Sequence, residues 1–202
     1  MFREIDSILN FSDVSRIVQG MYGLDRSCMP SMEEFRDAFS HGQLASKSWL
    51  LEHVHGDDIL IVGGWIGLTA FMVANAFPAA KVTTLDVDQS SAEVAKAVNA
   101  EFGDRVRSVT HDMYDYDGYG RHDVVINTSG EHIEDLRKWT SKVGTGKKIV
   151  VQSNDARHIQ GHVNCVDTAE ELAAKVGLSR IDYAGTLDIP GVYRRFMVVG
   201  VV

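Results

Sequence analysis

The feature that most constrains the fold is an apolar run that ends in glycines, Ile59-Leu-Ile-Val-Gly-Gly-Trp-Ile-Gly67. Branched apolar residues favour a buried strand, glycines favour a tight turn, and the apolar stretch that follows predicts a buried helix. Backbone N–H groups at such a turn can approach a ligand closely, and the helix dipole adds partial positive charge there. A second apolar run ends at Asp86 and predicts a carboxylate at the tip of the next strand.

From residue 57 onward, predicted strands and helices alternate, which is typical of a parallel sheet with helices on both faces. The chain ends differently. Residues 180–185, a Pro190-Gly191 turn and residues 195–202 predict an antiparallel hairpin. We therefore predict an α/β fold with a doubly wound, mostly parallel seven-stranded sheet and an antiparallel final strand. Residues 1–55 are predicted to form an N-terminal helical cap, and residues 56–202 the Rossmann-like domain.

The glycines alone fit two kinds of cofactor site equally well. The dinucleotide fingerprint G-x-G-x-x-G begins here at Val62, so its first glycine is missing. The G-x-G-x-G pattern of class I S-adenosylmethionine (SAM) methyltransferases begins at Gly63, and its middle glycine is Trp65. The residues after the turn are therefore needed to distinguish an NAD site from a SAM site.

Three later segments resemble class I SAM methyltransferases over residues 57–202. Thr84-Leu-Asp86-Val-Asp88 is similar to the end of that family's second strand, His111-Asp112-Met113 follows a short apolar strand, and His122-Asp-Val-Val-Ile-Asn127 is similar to its fourth strand. The reversed last strand also favours SAM over NAD. The resemblance implies that Asp86 binds the ribose and that Asp112 and Met113 contact adenine. The further cofactor contacts it implies are Gly63, Gly64, Trp65, Gly67, Val87 and Asn127. Asp88 is an alternative ribose ligand, or the cap of the next helix.

The polar segment Asn127-Thr-Ser-Gly-Glu-His132 leaves the central strand where the SAM sulfonium is expected. Asn127, Glu131 and His132 are the candidate catalytic residues, and Glu131 or His132 is the candidate base for an acceptor that carries a proton. The alternative is that Glu131 and His132 only begin a helix. Enzymes that methylate nucleobase or glutamine nitrogens carry Asn/Asp-Pro-Pro-aromatic here, so its absence disfavours those acceptors.

A polar loop follows the fifth predicted strand, again on the ligand side of the sheet. The candidate substrate-binding residues are Tyr22, Ser129, His158, His162 and Asn164. The spacing of the histidines does not indicate a metal, and no metal site is predicted.

Composition limits the partners. The formal net charge of −8 disfavours a nucleic-acid surface, which needs clustered Lys and Arg. Two isolated cysteines, Cys28 and Cys165, are typical of reduced thiols rather than a disulfide framework. Apolar runs fall short of the roughly 18 residues that span a bilayer. We expect a cytoplasmic protein with a small-molecule substrate, no membrane association and an open oligomeric state.

The sequence therefore predicts a SAM-dependent transferase, most simply a methyltransferase that acts on a small polar molecule and releases S-adenosylhomocysteine. Transfer of the aminocarboxypropyl group of SAM is one alternative. A non-catalytic protein that binds SAM or a nucleotide is a second, and an NAD-dependent oxidoreductase is a third.

Overall fold

A computed structural model describes residues 9–202 of the 202-residue chain. The helices are α1 (Phe11–Met21), α2 (Met32–Ala38), α3 (His41–Leu51), α4 (Leu68–Ala76), α5 (Gln89–Val98), α6 (Leu136–Val143) and α7 (Ala169–Val176). The strands are β1 (Asp58–Val62), β2 (Lys81–Asp86), β3 (Val106–Thr110), β4 (Val124–Asn127), β5 (Lys148–Asn154), β6 (Arg180–Ile189) and β7 (Tyr193–Val201). Short 3-10 turns occupy Ala100–Arg105, Gly118–Arg121 and Gly130–His132. None of the helices in the described part of the chain is long and apolar enough to cross a membrane.

The seven strands form one sheet in the order β3-β2-β1-β4-β5-β7-β6. Strands β1 to β5 are parallel, and β7 runs antiparallel to both β5 and β6. The predicted fold class is confirmed, including the antiparallel final strand, which lies beside β5. Because β7 lies between β5 and β6, residues near its start reach the carboxyl end of β5, where Asn154 pairs with Arg195.

Side chains of the central strands alternate between two hydrophobic clusters, one on each face of the sheet. Leu60 and Val62 pack with Trp139 of α6, whereas Ile59 and Ile61 pack with Val73 of α4. All six are at most 2% exposed. Burial of this kind contributes about 1.5–3 kcal/mol per large apolar side chain. The sheet is therefore a rigid platform that holds the strand ends in place.

The N-terminal helices pack on the sheet domain through a third cluster that includes Ile17 of α1 and Leu44 of α3 together with Phe71 of α4. Helix α1 lies against α5 so closely that a Cβ on Gly20 would stand 2.1 Å from the Ala97 carbonyl oxygen. Among the described residues before β1, those that line the ligand side belong to the segment from Asp37 to Lys47 in α2 and α3.

Asp88 is the N-cap of α5. Its side chain accepts hydrogen bonds from the backbone N–H groups of Ser90 at 3.2 Å and Ser91 at 3.0 Å. A cap of this kind satisfies N–H groups that have no partner within the helix, and it contributes about 1 kcal/mol. Of the two roles weighed for Asp88, the structure supports the helix cap.

Candidate active site

A cleft of about 910 Å³ opens at the carboxyl ends of the parallel strands, between them and helices α2 and α3. This is the edge at which open α/β sheets bind ligands. At one end lie the glycine turn and Asp86. At the other end lie polar side chains from the segments after β4 and β5 and from β7. Of the sequence-predicted site residues, those that line the cleft are Gly63, Gly64, Trp65, Asp86, Ser129, Glu131, His132 and His162.

The glycine turn is tied to the end of β2. The N–H groups of Gly63 and Gly64 both donate to the Leu85 carbonyl, at 2.8 and 3.2 Å, and the Trp65 N–H donates to Asp86 Oδ2 at 2.8 Å. Trp65 has a φ of +44°, a left-handed conformation that bulky residues rarely adopt. Its side chain packs on the cluster formed with the cap helices. These contacts hold the turn in a conformation that glycine would adopt more easily.

Gly63 and Gly67 have different roles, although both have positive φ. A Cβ on Gly63 would meet nothing within 4 Å, because that position faces open space in the cleft. A Cβ on Gly67 would lie 2.7 Å from the Ala95 Cα. Gly67 therefore allows α4 to pack closely on α5, and it does not line the cleft.

Asp86 is oriented before any ligand arrives. Its two carboxylate oxygens accept backbone N–H groups from Trp65 at 2.8 Å and from Asp88 at 3.1 Å. A carboxylate oxygen has two lone-pair directions, so each retains acceptor capacity. The side chain is half-buried and lines the cleft. It can accept hydrogen bonds from two neighbouring hydroxyl groups.

The opposite end of the cleft contains a buried ion pair. Glu131 Oε1 accepts from Arg195 Nη1 and from Asn154 Nδ2, both at 2.8 Å, and Arg195 Nη2 also donates to the Thr128 carbonyl. Glu131 and Arg195 are 4% and 2% exposed. The second carboxylate oxygen, Oε2, is buried and has no partner. Glu131 lies in the 3-10 turn Gly130–His132, so it does not begin an α-helix as the alternative proposed.

Lys47 of α3 also lines this end of the cleft, and it is 5% exposed. Burial lowers the pKa of Lys47 to about 7, and the nearby charge of Arg195 acts in the same direction. Its Nζ donates to Gln43 Oε1. Helix α3 is held over the strand by Gln152, whose Nε2 donates to the Ser46 carbonyl at 2.9 Å. Sequence reasoning missed Lys47 and Arg195, since no motif marks them and they come from separate elements. It placed Asn154 at the ligand side but gave it no role in the site.

His132 and His162 meet edge to face, with ring centroids 4.8 Å apart. Each ring is fixed by a backbone carbonyl: Nδ1 of His132 lies 3.0 Å from Gly161 O, and Nδ1 of His162 lies 3.0 Å from Ala156 O. Burial lowers the pKa of His162. The Glu131 carbonyl holds the loop in place by accepting the N–H groups of Val163 and Asn164, each at 2.9 Å. With Glu131, the two histidines form a group of three potential metal ligands.

Several predicted substrate contacts do not line the cleft. Tyr22 follows the last residue of α1 and is 92% exposed. His158 is exposed and does not line the cleft. Asn164 is engaged in the loop, where it donates to Ile133 O and accepts from Lys175 Nζ. This side of the cleft is instead lined by His162 and by residues of the β6–β7 hairpin, among them Ile189 and Tyr193.

Some predicted cofactor contacts also lie outside the cleft. Asn127 is buried, and its Oδ1 accepts the Ser129 N–H at 2.8 Å, so it shapes the turn after β4. Val87 is 72% exposed. Asp112 is exposed with Oδ1 bonded to the Tyr114 N–H, and Met113 packs on the core cluster. Contacts of Asp112 and Met113 with adenine stay a prediction.

Several solved structures with the same architecture are methyltransferases. The apo form of the methyltransferase SibL matches with a TM-score of 0.63 and 19% identity over 99% of this chain and 73% of that chain. The N-methyltransferase NodS from Bradyrhizobium japonicum WM9 matches with a TM-score of 0.65 and 13% identity over 81% and 98%. A geranyl diphosphate methyltransferase in complex with SAM matches with a TM-score of 0.58 and 18% identity over 78% and 84%.

This chain has the class I SAM methyltransferase fold. No protein-family model and no curated protein sequence matches it. Identities of 13–19% to these methyltransferases establish the fold and not the acceptor. Function therefore has to be argued from the side chains of the cleft.

Proposed function

We propose that this protein is a SAM-dependent methyltransferase that acts on a small polar molecule in the cytoplasm. The observation that carries the proposal is one continuous cleft that joins the glycine turn and Asp86 to the polar wall around Glu131 and Arg195. A cofactor and an acceptor can therefore occupy the two ends of the same cavity. The net charge of −8 supports a small molecule rather than a nucleic acid as acceptor.

In this proposal the ribose of SAM lies over Asp86, whose free lone pairs accept its two hydroxyl groups. The methionine part of SAM approaches Gly63, where no side chain intervenes. Adenine extends toward Asp112 and Met113, beyond the cleft. The sulfonium then faces Ser129 and Glu131, which line the cleft after β4.

Methyl transfer is an in-line displacement. A lone pair of the acceptor forms a bond to the methyl carbon while the carbon–sulfur bond breaks, and S-adenosylhomocysteine leaves. Positioning supplies most of the acceleration. An acceptor proton, where one is present, has to be lost. Glu131 is already bonded to Arg195 and Asn154, so we assign it an anchoring role and place proton removal at the side chains of His132 and His162.

Calorimetric titration with SAM, S-adenosylhomocysteine and NADH tests the cofactor. We expect both adenosyl ligands to bind, and Asp86→Ala to weaken SAM binding at least tenfold, because a charge-assisted hydrogen bond contributes about 1.5–3 kcal/mol. Asp86→Asn removes the charge and keeps one of the two acceptor oxygens that support the turn. Tight NADH binding without SAM binding would overturn the proposal.

Asp123→Ala is the matched control. Asp123 also accepts two backbone N–H groups, from Asp57 and Asp58, but it lies at the opposite edge of the sheet. Its loss should lower stability and leave SAM affinity unchanged.

Incubation with SAM and a small-molecule extract tests the transferred group by its by-product. Release of S-adenosylhomocysteine supports methyl transfer. Release of 5′-methylthioadenosine would instead indicate aminocarboxypropyl transfer, an alternative that Trp65 in the glycine turn keeps open. If neither product forms although SAM binds, the chain is a SAM-binding protein without this activity.

A further inference from the structure

Three side chains at the acceptor end of the cleft converge as metal ligands do. Glu131, His132 and His162 each offer one ligand atom, and these atoms lie within 4.8 Å of one another. Ligand atoms of a tetrahedral zinc ion are about 3.4 Å apart, given bond lengths near 2.0–2.1 Å. His132 is exposed and His162 is carried by a loop, so an inward shift of about 1 Å by each imidazole closes the difference.

The two imidazoles are held in the tautomer that binds a metal. A backbone carbonyl only accepts hydrogen bonds, so Nδ1 of His132 donates to Gly161 O and Nδ1 of His162 donates to Ala156 O. The unprotonated nitrogen of each neutral ring is then Nε2. Metal-binding histidines almost always donate their other ring N–H to a carbonyl, a carboxylate or water. Both rings here have that supporting contact.

The carboxylate of Glu131 is oriented and only half satisfied. Arg195 and Asn154 both bond Oε1, which fixes the plane of the group. Oε2 is buried without a partner, in a residue that is 4% exposed. An unpartnered buried acceptor is unfavourable, and more so when it is charged. A cation bound to Oε2 and both imidazoles would remove that penalty.

We propose that Glu131, His132 and His162 bind one divalent cation of the Zn²⁺ class in the cleft. Two nitrogen ligands and one carboxylate oxygen suit borderline cations such as Zn²⁺ and Co²⁺ better than Mg²⁺ or Ca²⁺. Three protein ligands leave at least one position open for a substrate or water. The positive charge of Arg195 lies beside Oε1, so we expect affinity in the micromolar range, weaker than that of a site with three unpaired ligands.

The open position indicates the acceptor class, a step that rests on the proposed function. A cation there favours an acceptor with two adjacent oxygen or nitrogen donors, such as a catechol, a hydroxamate or a 2-hydroxy acid. Bound to the cation, an acceptor hydroxyl group loses its proton to water more readily, and the resulting oxyanion attacks the methyl carbon. With the cation bound, the imidazoles act as ligands, and the cation replaces the base role that we assign to them in its absence.

Titration of the full-length chain with Zn²⁺ and with Co²⁺, after chelator treatment and without SAM, tests the site. We expect one ion per chain, with Co²⁺ giving visible absorption bands of low-coordinate geometry. His132→Ala and His162→Ala should each weaken binding at least tenfold. His158→Ala is the matched control, because His158 lies in the same loop as His162 but outside the cleft. The affinity of this variant for Zn²⁺ and Co²⁺ should be unchanged. Circular dichroism checks that each variant is folded.

Absence of saturable binding in the folded wild-type chain would overturn the proposal. Binding that His132→Ala and His162→Ala leave intact would overturn it as well. SAM titration of the same samples separates the two hypotheses. If the metal does not bind while SAM does, only the metal site is excluded. If SAM does not bind, the proposed function is excluded and the cation site is unaffected.

Discussion

Glu131 and Arg195 form a hydrogen-bonded ion pair of 2.8 Å across 64 residues of sequence, joining the segment after β4 to β7. Both side chains are almost fully buried. Removal of two charges from water is costly, so the pair does not guarantee net stability. Loss of one partner is different, since it leaves the other charge buried and unpaired.

We therefore expect Glu131→Gln and Arg195→Met each to lower the free energy of unfolding by about 3–5 kcal/mol, and the double variant to lose much less than the sum. Urea denaturation of the four proteins measures this coupling. The control is Asp167→Asn in the exposed Arg157–Asp167 pair, which should change stability by less than about 1 kcal/mol. Additive losses in the buried pair would contradict the interpretation.

Lys47 should make stability depend on pH. Burial lowers its pKa from 10.5 to about 7 in the folded chain, so between these values the unfolded chain binds more protons. The Lys47 contribution therefore makes the wild type more stable as pH rises from about 7 to about 10.5. Lys47→Met lacks this contribution and should be more stable than wild type by a few kcal/mol at pH 6, with the difference shrinking toward pH 10. A difference in unfolding free energy that is constant with pH would refute the assignment.

Two glycines of the turn should respond differently to the same substitution. Gly67→Ala forces a Cβ to within 2.7 Å of Ala95 Cα at a φ of +80°, so we expect a loss of several kcal/mol or failure to fold. Gly63→Ala also has positive φ but meets no atom within 4 Å, and should lose about 1 kcal/mol. Thermal melts compare the two. Because Gly63 lines the cleft, its variant should also bind SAM more weakly, and unchanged affinity would exclude a close approach of SAM there.

The β6–β7 pairing depends on Gly200. A Cβ at this position would lie 2.2 Å from the Arg180 carbonyl oxygen, close to the irregular register between Ile181 and Tyr183. Gly200→Ala should therefore push β6 from β7 and lower stability by about 1–3 kcal/mol. Gly120→Ala, where a Cβ meets nothing within 4 Å, should change it by less than about 0.5 kcal/mol. Equal denaturation midpoints would show that the hairpin tolerates a wider spacing.

The local pattern of residue types in the sequence was sufficient to predict much of the fold. The strand, turn and helix around Gly63 to Gly67, the carboxylate of Asp86 at a strand end, and the reversed β7 all follow from residue types that favour one local conformation. Because neighbouring parallel strands end at one edge of the sheet, the order of strands in the sequence was enough to predict that Asp86 and Ser129 lie in the same cleft. Tyr22 was predicted as a wall of the pocket, but it is 92% exposed, because the sequence does not show which way a loop aromatic faces.

The sequence by itself determined the class of fold and the edge of the sheet where a ligand binds, because both follow from short-range periodicity and strand order. Only the tertiary structure decided which side chains meet there. Lys47 arrives from α3, His162 from the loop after β5 and Arg195 from β7. Lys47 and Arg195 are not distinguishable in the sequence from an ordinary surface lysine or arginine, whereas His162 was predicted from its polar loop. Their meeting in one cleft depends on how helix α3 and the hairpin pack against the strand ends, and such long-range packing leaves no periodic signal in the chain.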